Sequence, residues 1–355
     1  MSRSTTTTTT TPIPLDTLCP PTPTSQPTVA TATPNSRDGS KPPIPKLLST
    51  GLSFLTAGVN DGSLGALFPY LLRSYSITTA QVTALYAATL AGWLAAALTA
   101  THLGQRLRLG TVLALGAGTQ TAAHLLRCVW QPPWGVFVAS CFVVCLGQGW
   151  QDTFGNTFVA SQMGEGRAQE EEGEGEEGGK STLHRWLGFI HAMYMAGCLV
   201  APFAAASIAA AGRWWLFYAV PLGLGVVNLG LVLVAFRDSL GLERKTAQAE
   251  VEGDGKKSAS GLIRDALSRK SVWLLGLFFF FYLGVGVTAS GWVVEYLVDV
   301  RNGDLAQMGY VPAGFSGGCL LGRILLPEPT HRFGEKKMVL LYCVFCLGFQ
   351  LLFWL

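Results

Sequence analysis

The chain has 355 residues, of which 49% are hydrophobic and only 13% are charged, and it contains 42 glycines. This composition excludes an ordinary soluble protein and indicates membrane helices, which tolerate Gly inside long apolar runs. The charges are segregated along the chain, so the net charge of +3 does not indicate nucleic-acid binding. We interpret the 8 cysteines as small hydrophobic residues and expect no metal site, disulfide or cofactor.

The N-terminal segment, residues 1–46, is rich in Thr, Pro and Ser and contains an unbroken Thr run over residues 5–11. Such a segment buries too little apolar surface to fold, so we predict a disordered cytoplasmic tail. It contains no apolar signal-peptide core. We therefore expect membrane insertion to begin with the first span.

The first apolar span covers residues 47–72 and carries Asn60 and Asp61 at its centre. An ionisable side chain at that depth costs on the order of several kcal/mol unless it faces a partner or a watery cavity. Three glycines recur beside it at helical spacing, which predicts close approach of another helix: Gly58, Gly62 and Gly65. We predict the first helix of a transporter, with Asp61 facing a central cavity. The alternative is a buried Asp that only holds two helices together.

Eight further spans are predicted over residues 80–103, 109–130, 133–163, 184–211, 213–236, 272–298, 305–326 and 338–355. A Glu/Gly segment over residues 170–177 predicts a flexible loop. We divide the remainder into a six-helix N-terminal transmembrane domain (47–236), a cytoplasmic central loop (237–271) and three helices of a partial C-terminal domain (272–355). Within the loop, residues 262–267 predict a short amphipathic helix on the membrane surface.

The Lys and Arg residues predict the orientation of the chain in the membrane. With the N-terminus in the cytoplasm, 21 of the 25 lie on the cytoplasmic side. The others are Arg73, Arg127, Arg213 and Arg301. Four tryptophans then fall at the outer interface, as an aromatic belt would: Trp130, Trp134, Trp214 and Trp215.

Acidic residues within the spans are Asp61, Asp152 and Glu295. On the fourth span, Gln148, Asp152 and Asn156 recur at i, i+4 and i+8, with Gln151 beside them, and form a polar stripe along one helix face. This stripe predicts a wet cavity, and a buried packing network remains the alternative. On the fifth span, His191 is either a partner of Asp152 or Asn156 or a satisfied core residue.

Sequence blocks in several spans resemble one family of membrane proteins. They are GVNDGSLGA at residues 58–66, QDTFGNTFVA at 151–160, GFIHA at 188–192 and RFGEKK at 332–337. Together with six spans, a long charged loop and further spans, these blocks resemble the major facilitator superfamily, in its fungal bypass-of-stop-codon-6-like branch. The resemblance covers residues from about 47 to the end. It implies an all-α polytopic membrane protein with two six-helix halves around a central cavity.

The block after the eighth span resembles the cytoplasmic loop signature of that superfamily and implies a gating loop: Gly322, Arg323, Arg332, Gly334 and Lys336. Two features depart from the family. The loop after the second span, residues 104–110, lacks the acidic residue of the signature. The chain also has nine predicted spans, whereas a complete member has twelve. We therefore expect a complete N-terminal half and an incomplete C-terminal half. We also expect the chain to be a fragment in preference to a functional nine-helix form.

The acids and amides suggest what would be transported. Protonation of a shielded carboxylate removes a buried charge and can bias a two-state equilibrium. Asp61 and Asp152 resemble the acid pair of fucose:proton symporters. Amides such as Asn60 suit hydroxyl-rich solutes, and Trp150 and Trp292 offer rings for stacking. We therefore expect secondary-active, proton-coupled transport of a sugar-like or polyol-like solute by alternating access. We expect the plasma membrane in preference to an internal membrane. The oligomeric state is left open.

Other functions remain open alternatives. The missing helices make a non-transporting membrane sensor, a partner protein or an inactive transporter fragment credible. Within the same fold, an acid-bearing cavity also suits efflux of drugs or organic cations. A membrane enzyme is disfavoured, because the Ser, His and Cys residues form no recognisable nucleophile motif.

Overall fold

A computed structural model describes residues 44–128, 130–170, 176–242 and 259–354, with side chains described except at 162–185, 259, 331 and 354. The predicted disordered tail lies outside these ranges up to residue 43, as do 171–175 of the acidic segment and 243–258 of the central loop. Every named element in the described ranges is a helix. The predicted all-α fold is confirmed.

The first six spans each form a helix. The helices are α1 (Ile44–Tyr75), α2 (Thr79–Arg106), α3 (Leu109–Cys128), α4 (Trp134–Glu170), α5 (Glu176–Ala210) and α6 (Ala219–Ala235), the last preceded by a 3₁₀ turn at Trp214–Tyr218. α2 begins with Gln81 Oε1 accepting the Thr78 backbone N–H at 2.9 Å, half of a capping box. Of the predicted acidic loop, residue 170 belongs to α4 and residues 176–177 belong to α5, while residues 171–175 lie outside the described ranges.

The remaining helices are α7 (Ala259–Ser268), α8 (Lys270–Asp299), α9 (Leu305–Met308), α10 (Val311–Leu325), α11 (Pro327–Phe333) and α12 (Glu335–Trp354). α7 contains the short helix predicted within the central loop. The predicted eighth span is divided into α9 and α10. Asp304 caps α9, since its carboxylate accepts the Gln307 backbone N–H at 3.3 Å. Prolines at the starts of α10 and α11 occupy positions where a missing N–H costs nothing.

Six helices of the described chain are long and apolar enough to cross a membrane. They are Thr79–Arg106, Trp134–Ser161, Trp186–Ala210, Trp214–Ala235, Lys270–Asp299 and Glu335–Phe353. α1 and α3 have enough residues but are not among these six, and α10 has only 15 residues. The prediction of a multi-pass membrane protein is confirmed by these helices.

Glycines bring the α1 and α5 backbones into contact. A side chain at Gly58 would collide with the Tyr194 carbonyl, and one at Gly197 would collide with the Leu55 carbonyl. Gly62 faces the backbone of Cys198 in the same way. The close approach predicted from glycine spacing is therefore confirmed, and it carries Tyr194 of α5 to the level of Asp61.

α8 packs on α1 only through its second half. Gly65 of α1 faces the Ser290 carbonyl, and Val294 is fully buried. In the first half of α8, large apolar side chains such as Phe280 are 67% exposed. Such a face is suited to lipid. This placement brings Trp292, in the second half, to the boundary between α1 and α8.

The tryptophans near one end of the bundle occupy two different environments. Trp130 is 58% exposed, as a belt residue would be, but Trp214 is only 3% exposed. Its indole N–H donates to the Ser74 hydroxyl at 3.1 Å, so the polar edge is satisfied inside the bundle. The prediction that all four form an outer belt is therefore wrong for Trp214, which packs against Tyr75 and Phe137.

Candidate functional site

Asp61 accepts hydrogen bonds from three helices at once. Asn60 Nδ2 and Gln148 Nε2 donate to its Oδ1 at 2.9 and 3.2 Å, and the Tyr194 hydroxyl donates to its Oδ2 at 2.9 Å. Gln148 Nε2 also donates to the Ala57 carbonyl at 3.2 Å. Each donor offsets part of the cost of removing a carboxylate from water. α1, α4 and α5 are thus joined through a single acid.

Asn60 connects this acid to a buried cation. Its side-chain oxygen accepts a hydrogen bond from Arg127 at 3.1 Å while its nitrogen donates to Asp61. Arg127 Nε donates to the Ser140 hydroxyl at 2.6 Å, and the guanidinium lies 5.2 and 5.0 Å from the ring centres of Phe137 and Tyr218. Only 3% of Arg127 is exposed. We counted Arg127 with the outer arginines, but its side chain turns inward because rings and hydroxyls replace water around it.

Asp152 lies beside a small cavity that is shared with the partners of Asp61. Its carboxylate accepts Asn156 Nδ2 at 3.3 Å, along the stripe expected from the sequence. The cavity measures about 30 Å³, and its polar lining comes from α1, α4 and α5: Ser53, Gln148, Gln151, Asp152 and Tyr194. A volume of this size holds a water molecule, whereas solute sites measure about 300–1,000 Å³. The predicted polar residues therefore converge, but the space between them is the size of a water molecule.

Gln151 also belongs to a second buried network. Its Oε1 accepts Gln120 Nε2 at 2.7 Å and Asn228 Nδ2 at 3.4 Å, and its Nε2 donates to the Leu113 carbonyl at 3.1 Å. Ser53 on α1 donates to Asn228 at 2.9 Å. Gln151 is thus mainly a link from α4 to α3 and α6, and it lines the cavity only in part.

The three ring-bearing candidates lie around this centre, outside the hydrogen-bonded network. His191 contacts the Phe54 ring edge-on at 5.4 Å between ring centres, and among its described contacts there is no hydrogen bond to Asp152 or Asn156. Trp292 packs on Phe68 at 4.6 Å. The Trp150 indole donates to Thr99 of α2 at 2.9 Å, which turns that ring toward α2. Of the two roles considered for His191, a partner of Asp152 or Asn156 and a core residue, its packing against Phe54 favours the core residue.

Comparison with known proteins places the chain in a family. The Major Facilitator Superfamily profile matches residues 50–355 of the chain. The chain belongs to the major facilitator superfamily. It is also 26% identical over 300 residues to Bypass of stop codon protein 6 of Saccharomyces cerevisiae (strain ATCC 204508 / S288c), a match that covers 81% of this chain and 57% of that relative. The chain thus spans a little more than half of that relative's length, and members of the superfamily are membrane transporters.

The gating-loop residues inferred from the superfamily lie around α11. Gly334 separates α11 from α12 with φ of +91°, a conformation that glycine adopts without strain. Arg332 pairs with Glu328 at 2.7 Å within α11, where both side chains are largely exposed. Gly322 and Arg323 occupy the last turn of α10, and Lys336 the first turn of α12. The structure gathers these five residues at the α10–α12 turns, and their gating role stays a prediction.

The loop between α2 and α3 forms a backbone hydrogen bond with the segment after α6. This is the loop that lacks the acidic residue of the superfamily signature. The Arg108 backbone N–H donates to the Gly241 carbonyl at 3.1 Å. Nearby, Lys46 forms an ion pair with Asp238 at 2.6 Å. Burial opposes ionisation of Asp238, but the hydrogen bond and charge of Lys46, aided by Arg108, outweigh it and hold the pKa of this carboxyl below its usual value. Asp238 therefore places a carboxylate near a loop that has none of its own.

Two residues of the site were missed at the sequence level. Arg127 follows Gln120 and His124 at i+7 and i+3, so a polar stripe on α3 was present in the sequence. Tyr194 follows His191 by three residues on the same face of α5. Tyrosine at such a position is usually a packing residue, and only the close contact of α1 with α5 shows its hydroxyl to be a donor to Asp61.

Proposed function

We propose that this chain belongs to a proton-coupled secondary transporter for a small polar solute, sugar-like or polyol-like, that works by alternating access. The observation that carries the proposal is the position of Asp61, which accepts donors from α1, α4 and α5 at one point. Protonation removes the negative charge of Asp61 that these donors stabilise, so the three hydrogen bonds weaken at the same time. A proton can therefore change the relative stability of two arrangements of these helices.

The chemistry around Asp61 suits a hydroxyl-rich solute. Amides such as Gln148 and Asn156 both donate and accept hydrogen bonds, and so do sugar hydroxyls. The cavity of about 30 Å³ cannot hold such a solute, so we propose that the described conformation is a closed one. Trp292 of α8 packs on Phe68 of α1 at 4.6 Å, and parting of this contact would widen the space beside the acids and expose a ring for stacking.

The orientation proposed here keeps the N-terminus and the α2–α3, α4–α5, α6–α8 and α10–α12 connections on the cytoplasmic side of the plasma membrane. It rests on the strong excess of Lys and Arg in these segments. Arg323, Arg332 and Lys336 then face the cytoplasm, where their contacts would be remade as the helices move. Cysteine labelling from each side of sealed vesicles, at Lys336 and at Arg301, tests this orientation.

Uptake into vesicles that contain the full chain tests the function. A panel of labelled sugars and polyols is offered at two external pH values, with and without a proton ionophore. We expect uptake of at least one solute to rise at acidic pH and to fall when the ionophore removes the gradient. Absence of uptake across the panel, with binding retained, would favour a sensor. Acid-stimulated release of organic cations would favour efflux.

A further inference from the structure

α7 and α8 meet at a corner in the chain. α7 ends at Ser268 and α8 begins at Lys270, and Arg269 between them has extended backbone angles, φ −86° and ψ 120°. The helical path is interrupted at this residue, so α7 does not continue along the axis of α8. The Trp273 indole N–H donates to the Leu267 carbonyl at 2.7 Å and fixes the corner.

Trp273 indicates the depth of this corner in a membrane. Its side chain is 63% exposed, while its N–H is satisfied by the end of α7. A tryptophan with an exposed ring suits the interface between membrane and water. Beyond it, the first half of α8 exposes apolar side chains such as Leu274, which is 71% exposed. With α8 crossing the membrane, α7 lies at the level of the lipid headgroups.

The apolar and polar residues of α7 lie on different faces. The apolar face consists of side chains at helical spacing: Leu262, Ile263, Ala266 and Leu267. A polar stripe with one residue at every fourth position lies beside it: Ser260, Arg264 and Ser268. Leu262 and Leu267 are 39% and 50% exposed, so the described part of the chain leaves much of this face uncovered. Such a helix is typical of a membrane surface, where its apolar face enters the acyl region.

A shallow, open cleft of about 540 Å³ lies along the boundary between these two faces. Ile263 and Leu267 line it from the apolar face, and Ser260, Arg264 and Ser268 line it from the polar stripe. Its volume falls within the range of about 300–1,000 Å³ that is usual for small-molecule sites. Aliphatic side chains suit an acyl chain, and a guanidinium suits phosphate oxygens. The cleft therefore has the mixed chemistry of a phospholipid site.

The segment that leads into α8 is strongly basic. Residues 256–270 contain a single acid, Asp265, and five basic residues: Lys256, Lys257, Arg264, Arg269 and Lys270. Clusters of about four to eight Lys and Arg next to a membrane helix, or on an amphipathic helix, attract anionic lipids. Helical periodicity places Asp265 on the α7 face away from the cleft, and it is not among the lining residues. The charge of this segment thus complements an anionic headgroup.

We propose that the α7 cleft binds one anionic phospholipid. Its acyl chain lies along Ile263 and Leu267, and its headgroup phosphate pairs with Arg264. A neutral phospholipid fits the aliphatic wall equally well, so the site selects for the negative charge of the headgroup. This inference goes beyond the proposed transport. It depends on the proposed orientation only for the choice of the cytoplasmic leaflet.

Photo-cross-linking of the full chain tests this site. Vesicles of phosphatidylcholine contain a minor share of phosphatidylserine in both leaflets, so the result does not depend on the orientation of the chain. Phosphatidylserine and phosphatidylcholine reporters with the same photoreactive acyl chain are compared, and mass spectrometry locates the adducts. We expect the phosphatidylserine reporter to give more adducts on residues 260–268. Unlabelled phosphatidylserine should suppress these adducts more strongly than unlabelled phosphatidylcholine does.

Substitution of Arg264 tests the selection for charge. Arg264→Gln should lower the phosphatidylserine adducts at the cleft by about fivefold, the factor expected for one basic side chain near an anionic surface. Phosphatidylcholine adducts should not change, which also shows that α7 still forms. Arg264→Lys keeps the charge and should lose less. The matched control Arg237→Gln, exposed on the connection between α6 and α7 and outside the cleft, should retain the phosphatidylserine adducts.

Three results would contradict the lipid site. Equal adducts from the two reporters in the unmodified chain would show a lipid-facing surface without selection for charge. Equal losses in Arg264→Gln and Arg237→Gln would show only the general attraction of a basic surface. Adducts that appear only after deletion of residues 243–258 would assign the cleft to that segment of the chain. Uptake is measured separately, so loss of the lipid site leaves the transport proposal standing, and loss of transport leaves the lipid site standing.

Discussion

Arg127 on α3 donates a hydrogen bond to the Asn60 side-chain oxygen on α1, across 3.1 Å. Asn60 in turn donates to Asp61, so a single amide separates a buried cation from a buried acid. A buried charge is costly unless it is paired and hydrogen-bonded. Here the charges of Arg127 and Asp61 compensate each other, with only the Asn60 side chain between them. Because both ends of the Asn60 amide are engaged, the state of Asp61 and the position of Arg127 are expected to depend on each other.

Replacement of Arg127 by Gln should destabilise the protein. The change removes donors from Asn60 and Ser140 and empties the space between the Phe137 and Tyr218 rings. Each lost buried hydrogen bond costs about 1–3 kcal/mol, so we expect the free energy of unfolding to fall by about 2–4 kcal/mol. Thermal unfolding of the detergent-solubilised protein measures this.

Arg106 provides the matched control, because it lies exposed at the end of α2. Arg106→Gln should change the free energy of unfolding by less than about 0.5 kcal/mol. Equal effects of the two substitutions would show that the inward position of Arg127 contributes nothing to stability.

The contact between α1 and α5 depends on Gly58. Because a Cβ atom there would collide with the Tyr194 carbonyl, Gly58→Ala must push α5 away from α1. We expect a cost of about 1–3 kcal/mol. Gly188→Ala, on α5 with no atom within 4 Å of the added Cβ, should instead stabilise by about 0.5–1 kcal/mol. Thermal unfolding compares the two, and a neutral Gly58→Ala would contradict the close packing.

The ion pair between Lys46 and Asp238 should give a small, pH-dependent stabilisation. The pKa of Asp238 is lowered from its usual 3.8, so the pair contributes above that pH and is lost as the pH falls below it. The Asp238 side chain is 46% exposed, so solvent screens the pair and we expect less than about 1 kcal/mol. Unfolding of Lys46→Met and of the unmodified chain is compared at neutral and acidic pH and at high salt. A difference that persists in acid would reject this account.

Helical periodicity predicted much of the site. Gln148, Asp152 and Asn156 share one face of α4 because they recur every four residues. Gln148 and Asp152 line the cavity, Gln148 also donates to Asp61, and Asn156 donates to Asp152. Periodicity assigns a face, but it does not say which neighbour covers that face. Gln151 is adjacent in sequence and turns mainly to α3 and α6, which only the packing of those helices determines.

Arg127 and Trp214 show where prediction from the sequence fails. Near the end of a membrane helix, Arg and Trp usually extend to the interface, and this general tendency predicted outward side chains for both. Their inward positions depend on partners distant in sequence: Asn60 is 67 residues from Arg127, and Ser74 is 140 residues from Trp214. The pattern of residues along the sequence does not show which distant residues come into contact.

The most direct test of the account is the pH dependence of solute uptake in Asp61→Asn, with Asp265→Asn as a matched control at an exposed position on α7. Asn keeps the shape of the side chain but cannot exchange a proton. If protonation of Asp61 drives transport, acid stimulation of uptake disappears in Asp61→Asn and is unchanged in Asp265→Asn. Acid stimulation of equal size in Asp61→Asn and the unmodified chain would contradict the account.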